Sequence, residues 1–244
     1  MATRRGPRAR AERLRTEALL VRHAPFGEAD VMTTLFTEAR GVVSAVARSA
    51  RRSSQRFSAL EPMHLLRVGL DERPGQDVLL LAESALAKAR LGLVTRLEAM
   101  EAAGTALRWV RRAAPPNTPD PRLWAEINGL LDRLDGHGGE PDSLPEGALL
   151  AGSGLRILSA VGWGLDLSRC VRCGRQAEPG TSAYVDPGDG GLVCRACGGG
   201  RRLLRGEARA RLIAASEGDD AQLGPDEARA ALELVEEALE AHAK

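Results

Sequence analysis

Aromatic side chains are scarce in this chain, with three Phe, three Trp and one Tyr among 244 residues. That excludes an extensive aromatic stacking surface. Lysine is rarer still, occurring only at Lys88 and Lys244, and neither lies near a glycine-rich turn. No G-x-x-x-x-G-K-[ST] loop exists, so P-loop nucleotide hydrolysis is unsupported. Gly152-Ser153-Gly154 is too short for a dinucleotide fingerprint and reads as a helix start. The four histidines (His23, His64, His137, His242) are scattered, with no H-E-x-x-H. His23 and His64 read as surface or half-buried residues rather than ligands. No segment approaches the roughly 18 consecutive apolar residues of a membrane span. Residues 1–15 are basic but are not followed by the apolar stretch of a signal peptide. The expected location is cytoplasmic, where paired cysteines more often hold metal than form disulfides.

What is present is arginine, unevenly spread. The formal net charge is only +1. Residues 1–60 nevertheless carry twelve Arg against five Asp or Glu, a net of +7. Residues 206–244 carry four Arg or Lys against ten Asp or Glu, a net of −6. Opposite charge at the two ends points to different partners, with a polyanion favoured at the first. The acidic end also reads as a plain solvated helix.

The chain divides by texture. Residues 1–13 are polar, arginine-rich and patternless, as a flexible basic tail would be. From residue 14 to 83, short apolar runs at residues 18–21, 31–36, 42–47, 63–70 and 78–81 predict strands. Turns are expected at Ala24-Pro25-Phe26-Gly27, Arg40-Gly41 and Arg73-Pro74-Gly75. Five short strands in about 70 residues is the size of a small closed barrel such as the OB-fold. After Ser84 the spacing turns helical through Ala113, with Leu86, Leu93, Leu97, Met100, Leu107 and Val110 in phase. Pro115-Pro116-Asn117-Thr118-Pro119 breaks it, and Asp120 or Pro121 can open another helix to Leu134. A polar loop over residues 136–145, an apolar helix over 149–161, and closing helices at 203–215 and 225–243 follow. The whole of 84–244 is expected to be a helical domain with an insert at about 166–200. The fold class is α+β: a five-stranded barrel, then helices.

That insert carries every cysteine. Cys170, Cys173, Cys194 and Cys197 form C-x2-C-x20-C-x2-C, the spacing of a tetrahedral zinc site with four thiolates. A glycine follows each pair (Gly174, Gly198), where the chain must fold back past the sulfurs. Residues 184–193 look like a small hairpin presenting the second pair. Two disulfides, or a redox C-x-x-C, fit the context less well. Four thiolates also close the coordination shell, which favours a structural role over a catalytic one.

The basic run Arg48-Ser-Ala-Arg51-Arg52-Ser-Ser-Gln-Arg56 follows a predicted strand. It is expected to project four guanidiniums from the barrel, with Ser53, Ser54 and Gln55 adding hydrogen bonds to phosphate. Phe26, Phe36 and Phe57 are the nearby aromatics. A contact with nucleic acid would be mostly electrostatic, salt-sensitive and sequence-tolerant. The bland alternative is a solvated loop.

Several segments resemble the RecO family of bacterial recombination mediators. They are Ala18-Leu-Leu-Val-Arg22, Phe26-Gly-Glu-Ala-Asp30, Thr33-Thr-Leu-Phe-Thr37 with Gly41, Ala45-Val-Ala-Arg48 with Ala50-Arg-Arg52, and Leu60-Glu-Pro62. Later Gly154-Leu-Arg-Ile-Leu158, Gly162 and Cys170-x-x-Cys173-Gly174 continue the likeness, which spans about residues 16–200. Where many relatives have Lys-Gly before Ala-Arg-Arg, this chain has Arg48-Ser49. The resemblance implies an N-terminal OB-fold, a helical C-terminal domain and a zinc-bearing insert. It implies binding of single- and double-stranded DNA, ATP-independent annealing, and help in loading recombinase on DNA coated by single-strand-binding protein (SSB). RecR and the SSB tail would be partners. Arg108, Arg111 and Arg112 are candidates for the tail, and Arg22, Arg48, Arg51, Arg52 and Arg56 for DNA. The protein would be no enzyme, would hold structural Zn2+, and would associate with the nucleoid. Rival readings are an interaction adaptor that never touches DNA, a zinc-dependent enzyme on nucleic acid, and an RNA-binding zinc-ribbon factor.

Overall fold

A computed structural model of the chain describes residues 13–52, 56–57, 60–73, 75–136 and 144–243. The expected tail up to residue 12, the interleaved residues 53–55, Pro74 and His137 fall outside the described residues. The chain forms two compact units: residues up to 89 together with 116–119, and the remainder.

The first unit is a closed five-stranded barrel of order β1-β2-β3-β5-β4. Its strands are β1 (Arg13–Phe26), β2 (Asp30–Thr37), β3 (Gly41–Ala47), β4 (Leu65–Arg73) and β5 (Gln76–Lys88). The alternation read from the sequence sets which residues fill it. Leu20, Leu35, Val43, Ala45, Leu66, Val68, Leu70, Leu79 and Leu81 point inward and are fully or almost fully buried. Each buried Leu contributes about 2 kcal/mol of apolar burial. Closure is made by the parallel pairing of β3 with β5, Ala45↔Leu79 to Ala47↔Leu81. The start of β3, which β5 does not pair, lies beside residues 116–119, where the Asn117 amide donates to the Val42 carbonyl at 2.9 Å.

Three boundaries differ from expectation. Arg13 belongs to β1, where it pairs with Asp71 of β4, and is not part of a tail. Ala24, Pro25 and Phe26 remain in β1, so the turn begins at Gly27, whose φ of 65° is left-handed. β5 continues to Lys88, paired to Leu65. The run Glu83-Ser-Ala-Leu-Ala-Lys has good helix formers, but its ladder with β4 overrides that propensity. The change to helix therefore falls at about residue 90, not 84. His64, expected to be exposed or half-buried, is buried at the start of β4.

The second unit is helical, with α1 (Leu91–Thr95), α2 (Leu97–Ala113), α3 (Pro121–Gly136), α4 (Glu146–Ala160), α5 (Gly206–Ser216) and α6 (Pro225–His242). Asp120 caps α3, its carboxylate accepting from the amides of Arg122 and Leu123, with Pro121 at the first helical position. Gly152-Ser153-Gly154 lies inside α4 rather than at a helix start, and all three residues are buried. The reason is packing. A Cβ on Gly154 would meet Trp109 of α2 at 3.0 Å and Val235 of α6 at 3.1 Å. Around Ser153, Asp220 is buried and bonded to Arg133 and Arg156, and Arg156 also reaches Glu126 at 3.0 Å. Burial disfavours the Arg156 charge, but its bonds to Asp220 and Glu126 more than offset it and raise its pKa.

Between α4 and α5 sits a four-stranded sheet of order β6-β8-β7-β9. It comprises β6 (Asp166–Cys170), β7 (Ala183–Asp186), β8 (Gly191–Leu192) and β9 (Arg202–Leu204). Leu203 and Leu204, expected in a helix, are drawn into β9 by pairing with Tyr184 and Ala183. Arg209 of α5 is buried and donates to the carbonyls of Leu167, Glu178 and Thr181, tying the insert to its helix. Among the described residues no helix is long and apolar enough to cross a membrane.

Candidate metal centre and nucleic-acid interface

The four cysteines meet at one point of the insert. Cys170 ends β6, and its carbonyl accepts from the Gly174 amide at 2.8 Å, forming the first tight turn. Cys194 to Cys197 form the second, the Cys197 and Gly199 amides both donating to the Cys194 carbonyl. Gly174 and Gly198 take φ of 73° and 106°, the left-handed conformations expected after each pair. The β7–β8 hairpin presents the second turn, as the sequence predicts.

All four Sγ atoms lie within 4.8 Å of one another. Cys173 and Cys194 are 3.8 Å apart, far longer than the roughly 2 Å of a disulfide. A tetrahedron with metal–sulfur bonds of about 2.3 Å has edges of about 3.8 Å, so the donor set fits a four-thiolate ion. The Cys194 amide donates to Cys170 Sγ at 3.4 Å. That bond, working against burial, brings the Cys170 thiol down to about 6. Hydrogen bonds with the Cys194 and Cys173 sulfurs, helped by burial, push Cys197 up to about 12. A cation at the centre would let all four ionise together. Arg172 braces the two turns, donating to Asp189 at 2.6 Å and to the Cys197 carbonyl at 2.7 Å.

The second site is on the barrel. Residues paired across β1, β2 and β3 share one outward face in three rows: Arg22–Thr34–Ser44, Ala24–Met32–Val46, and Phe26–Asp30. Arg48 leaves β3 beside the last row, and a concavity of about 500 Å³ there is lined by Phe26, Met32, Val46 and Arg48. The following turn is tethered to the β1–β2 connection. Ser49 N–H donates to Asp30 at 2.8 Å and Arg51 N–H to the Ala29 carbonyl at 3.1 Å. Arg22, Arg48, Arg51 and Arg52 are exposed. Among the described residues, Arg51 Nη1 donates only to the Glu28 carbonyl, and Arg52 has only a 3.8 Å approach to the Glu28 carboxylate. Neither Arg22 nor Arg48 has a carboxylate partner among the described residues.

Arg56, read from sequence as part of this run, goes elsewhere. Its carbonyl accepts from the Ser84 amide and its guanidinium donates to the Ala82 carbonyl, so it lies along β5. The aromatics also separate. Phe36 and Phe57 are buried and only Phe26, half exposed, can touch a ligand. Beside Arg56 is a further groove of about 470 Å³ lined by Arg13, Arg15, Arg67 and Ser84. Arg15 and Arg67 were not singled out from sequence. The signal for them is a charge at alternate, outward positions of Arg13-Leu-Arg15-Thr and Leu66-Arg67-Val68.

Arg108 and Arg111 of α2 are exposed, whereas Arg112 is held by Glu236 at 2.6 Å.

Comparison with known proteins agrees with this architecture. The family model described as Recombination protein O N terminal matches residues 12–90, and Recombination protein O C terminal matches residues 94–244. A DNA repair protein RecO of Anaeromyxobacter sp. (strain K) is 33% identical, over 95% of this chain and 92% of that one. That of Geobacter metallireducens is also 33% identical, over 95% and 93%. A third, from Anaeromyxobacter sp. (strain Fw109-5), is 36% identical over 76% and 71%. Matched along both units, and at this identity over nearly its whole length, the chain belongs to the RecO family.

Proposed function

We propose that this protein serves DNA repair as a recombination mediator: it binds single- and double-stranded DNA, anneals complementary strands without ATP, and assists recombinase loading on SSB-coated DNA together with RecR. The observation that carries the reading is the set of exposed arginines without strong carboxylate pairing, Arg22, Arg48, Arg51 and Arg52, around Phe26 on one barrel face. Guanidiniums without a strong carboxylate partner are available to phosphate, and each contact releases counterions. Neutralising phosphate on one strand lowers its repulsion of a second. The step is non-covalent and calls for no catalytic group.

The same reading assigns Zn2+ to the four cysteines, in a closed and therefore structural shell. Family membership supports RecR and the SSB tail as partners. The tail is acidic in its expected chemistry, and Arg108 and Arg111 are open to it on α2. Holding the tail would raise the effective concentration of coated DNA near the barrel.

The test mixes fluorescent complementary strands with zinc-loaded protein, without nucleotide, across a salt series. ATP-independent annealing that fades steeply with salt is expected. Folded protein that neither binds nor anneals at low salt would leave the adaptor reading in its place.

A further inference from the structure

The basic run that looks continuous in sequence is split by the fold, and its far end joins arginines from three strands. β1 runs past β2: from Arg13 to Glu17 its ladder is with β4 alone. On this stretch the outward rows are Arg13–Asp71, Arg15–Gly69–Glu83 and Glu17–Arg67–Ala85. Gly69 adds no side chain to the floor, and the side chains of Glu83 and Arg13 occupy the space above it. A Cβ there would meet Glu83 Cγ at 2.9 Å and Arg13 Cδ at 3.0 Å.

The charges in this groove are unequal in their commitments. Arg13 is bonded to Asp71 through two hydrogen bonds, at 2.7 and 2.9 Å. Glu83 reaches Arg13 and Arg15 only at 3.8 and 3.6 Å. Arg15 is 72% exposed. Arg67 is exposed and makes no ion pair among the described residues, even with Glu17 opposite it. Arg56 adds a fourth guanidinium at the rim. One further atom points to a ligand. Ser84 is 5% exposed, lines the same groove, and its hydroxyl is the one buried side-chain N or O of the described barrel without a partner. The sequence just before Arg13 adds Arg4, Arg5, Arg8 and Arg10 against the single acid Glu12.

This groove is not the loop site. Arg15 and Arg22 are seven residues apart on β1, roughly 23 Å of strand at about 3.3 Å per residue. At physiological salt charges beyond about 8 Å are largely screened, so two clusters at such a spacing act separately on a flexible anion. An annealing protein must hold two like-charged strands at once, and one barrel with two separate cationic surfaces can do so.

We propose that the β1–β4–β5 groove, through Arg15, Arg67 and Arg56, binds the phosphates of a second single DNA strand while the Arg48–Arg52 turn holds the first. The inference rests on the DNA-annealing reading above and adds where the second strand lies.

The experiment uses the full chain with Arg15→Ala and Arg67→Ala together, both at exposed positions whose loss leaves the core intact. A labelled poly-dT strand reports first-strand affinity and strands bound per protein, and labelled complementary strands report annealing. Expected are first-strand affinity changed less than twofold, stoichiometry reduced from two strands to one, and annealing slowed on the order of tenfold. Arg15→Lys with Arg67→Lys, which keeps the charge, should restore most of the rate. Unchanged annealing and stoichiometry would overturn the proposal while leaving the DNA-binding reading intact. A first-strand loss as large as the annealing loss would also overturn it, by making the groove part of one continuous track. A wild-type protein that binds no strand at low salt would remove both readings at once.

Discussion

Arginine is the dominant cation in both units, yet it does different things in each. In the helical unit most described arginines are spent internally. Arg90 binds Asp132, Arg96 binds Glu146, Arg133 and Arg156 share Asp220, and Arg202 holds Glu233 and Glu237. In the barrel, Arg22, Arg48, Arg51 and Arg67 have no carboxylate partner among the described residues, and the 3.8 Å approach of Arg52 to Glu28 is weak. On the proposed reading, the pairing state of each cation, rather than net charge, locates the interface. A paired guanidinium has its field cancelled at short range, while an unpaired one is available to phosphate.

The comparison can be broken most forcefully at the metal. Stripping the ion with a strong chelator, or replacing Cys173 and Cys197 with Ser, should unfold the insert. Structural four-ligand zinc contributes on the order of 10 kcal/mol to such modules. Metal released per protein, and loss of the Tyr184 environment in near-ultraviolet dichroism, would report it. Retained dichroism after complete release would mean the sheet stands without the ion.

Next is the buried pairing of the helical unit. Arg156→Ala leaves Asp220 and Glu126 undercompensated and should cost ~3 kcal/mol in urea unfolding. DNA affinity of the folded fraction should stay the same. A cost below about 0.5 kcal/mol would class this pair with ordinary surface bridges.

Acid offers a smaller effect. Burial opposes ionisation of Asp166, but bonds from the Ser168 hydroxyl, the Arg169 side chain and both their amides bring its carboxyl down to about 2. A depressed carboxyl stabilises the fold fully above its unfolded value of about 4, and the contribution is lost as pH falls from about 4 to 2. Asp166→Asn should therefore flatten stability against pH in that window and leave the profile above pH 5 parallel to wild type.

The smallest change is Ser49→Gly. Ser49 sits at φ 56°, in the left-handed region that glycine adopts without strain. Glycine should stabilise the barrel by about 1 kcal/mol, read as a higher Tm, with the arginines of the turn in place. A lower Tm would mean that the Ser side chain contributes more than its backbone costs.

How much of this was legible in the sequence follows from how local each feature is. The four-cysteine cluster was readable because a C-x2-C pair and its trailing glycine fix a turn within five residues. The barrel was readable from alternation and turn residues, and Asp120-Pro121 announced α3. What was missed depends on partners distant in sequence. β5 outlasts its helical composition because β4 lies beside it. Gly152-Ser153-Gly154 sits mid-helix because Trp109 and Val235 crowd Gly154. Arg56 leaves its neighbours because its backbone pairs with Ser84, and Phe36 and Phe57 are lost to the interior. No reading of Arg48 to Arg56 as a string shows that division.

The central claim is that weakly paired arginines of the barrel turn, not positive charge in general, make the DNA contact. Two triple variants of equal charge test it directly by single-strand affinity across a salt series. One is Arg48→Ala, Arg51→Ala and Arg52→Ala; the other is Arg40→Ala, Arg211→Ala and Arg229→Ala, whose guanidiniums are bonded to Glu72, Glu227 and Asp226. The turn variant should lose about 2 units of the log–log salt slope, near 0.7 for each phosphate contact removed, and the paired variant almost none. Equal losses in the two would contradict the account and leave net charge as the sole determinant.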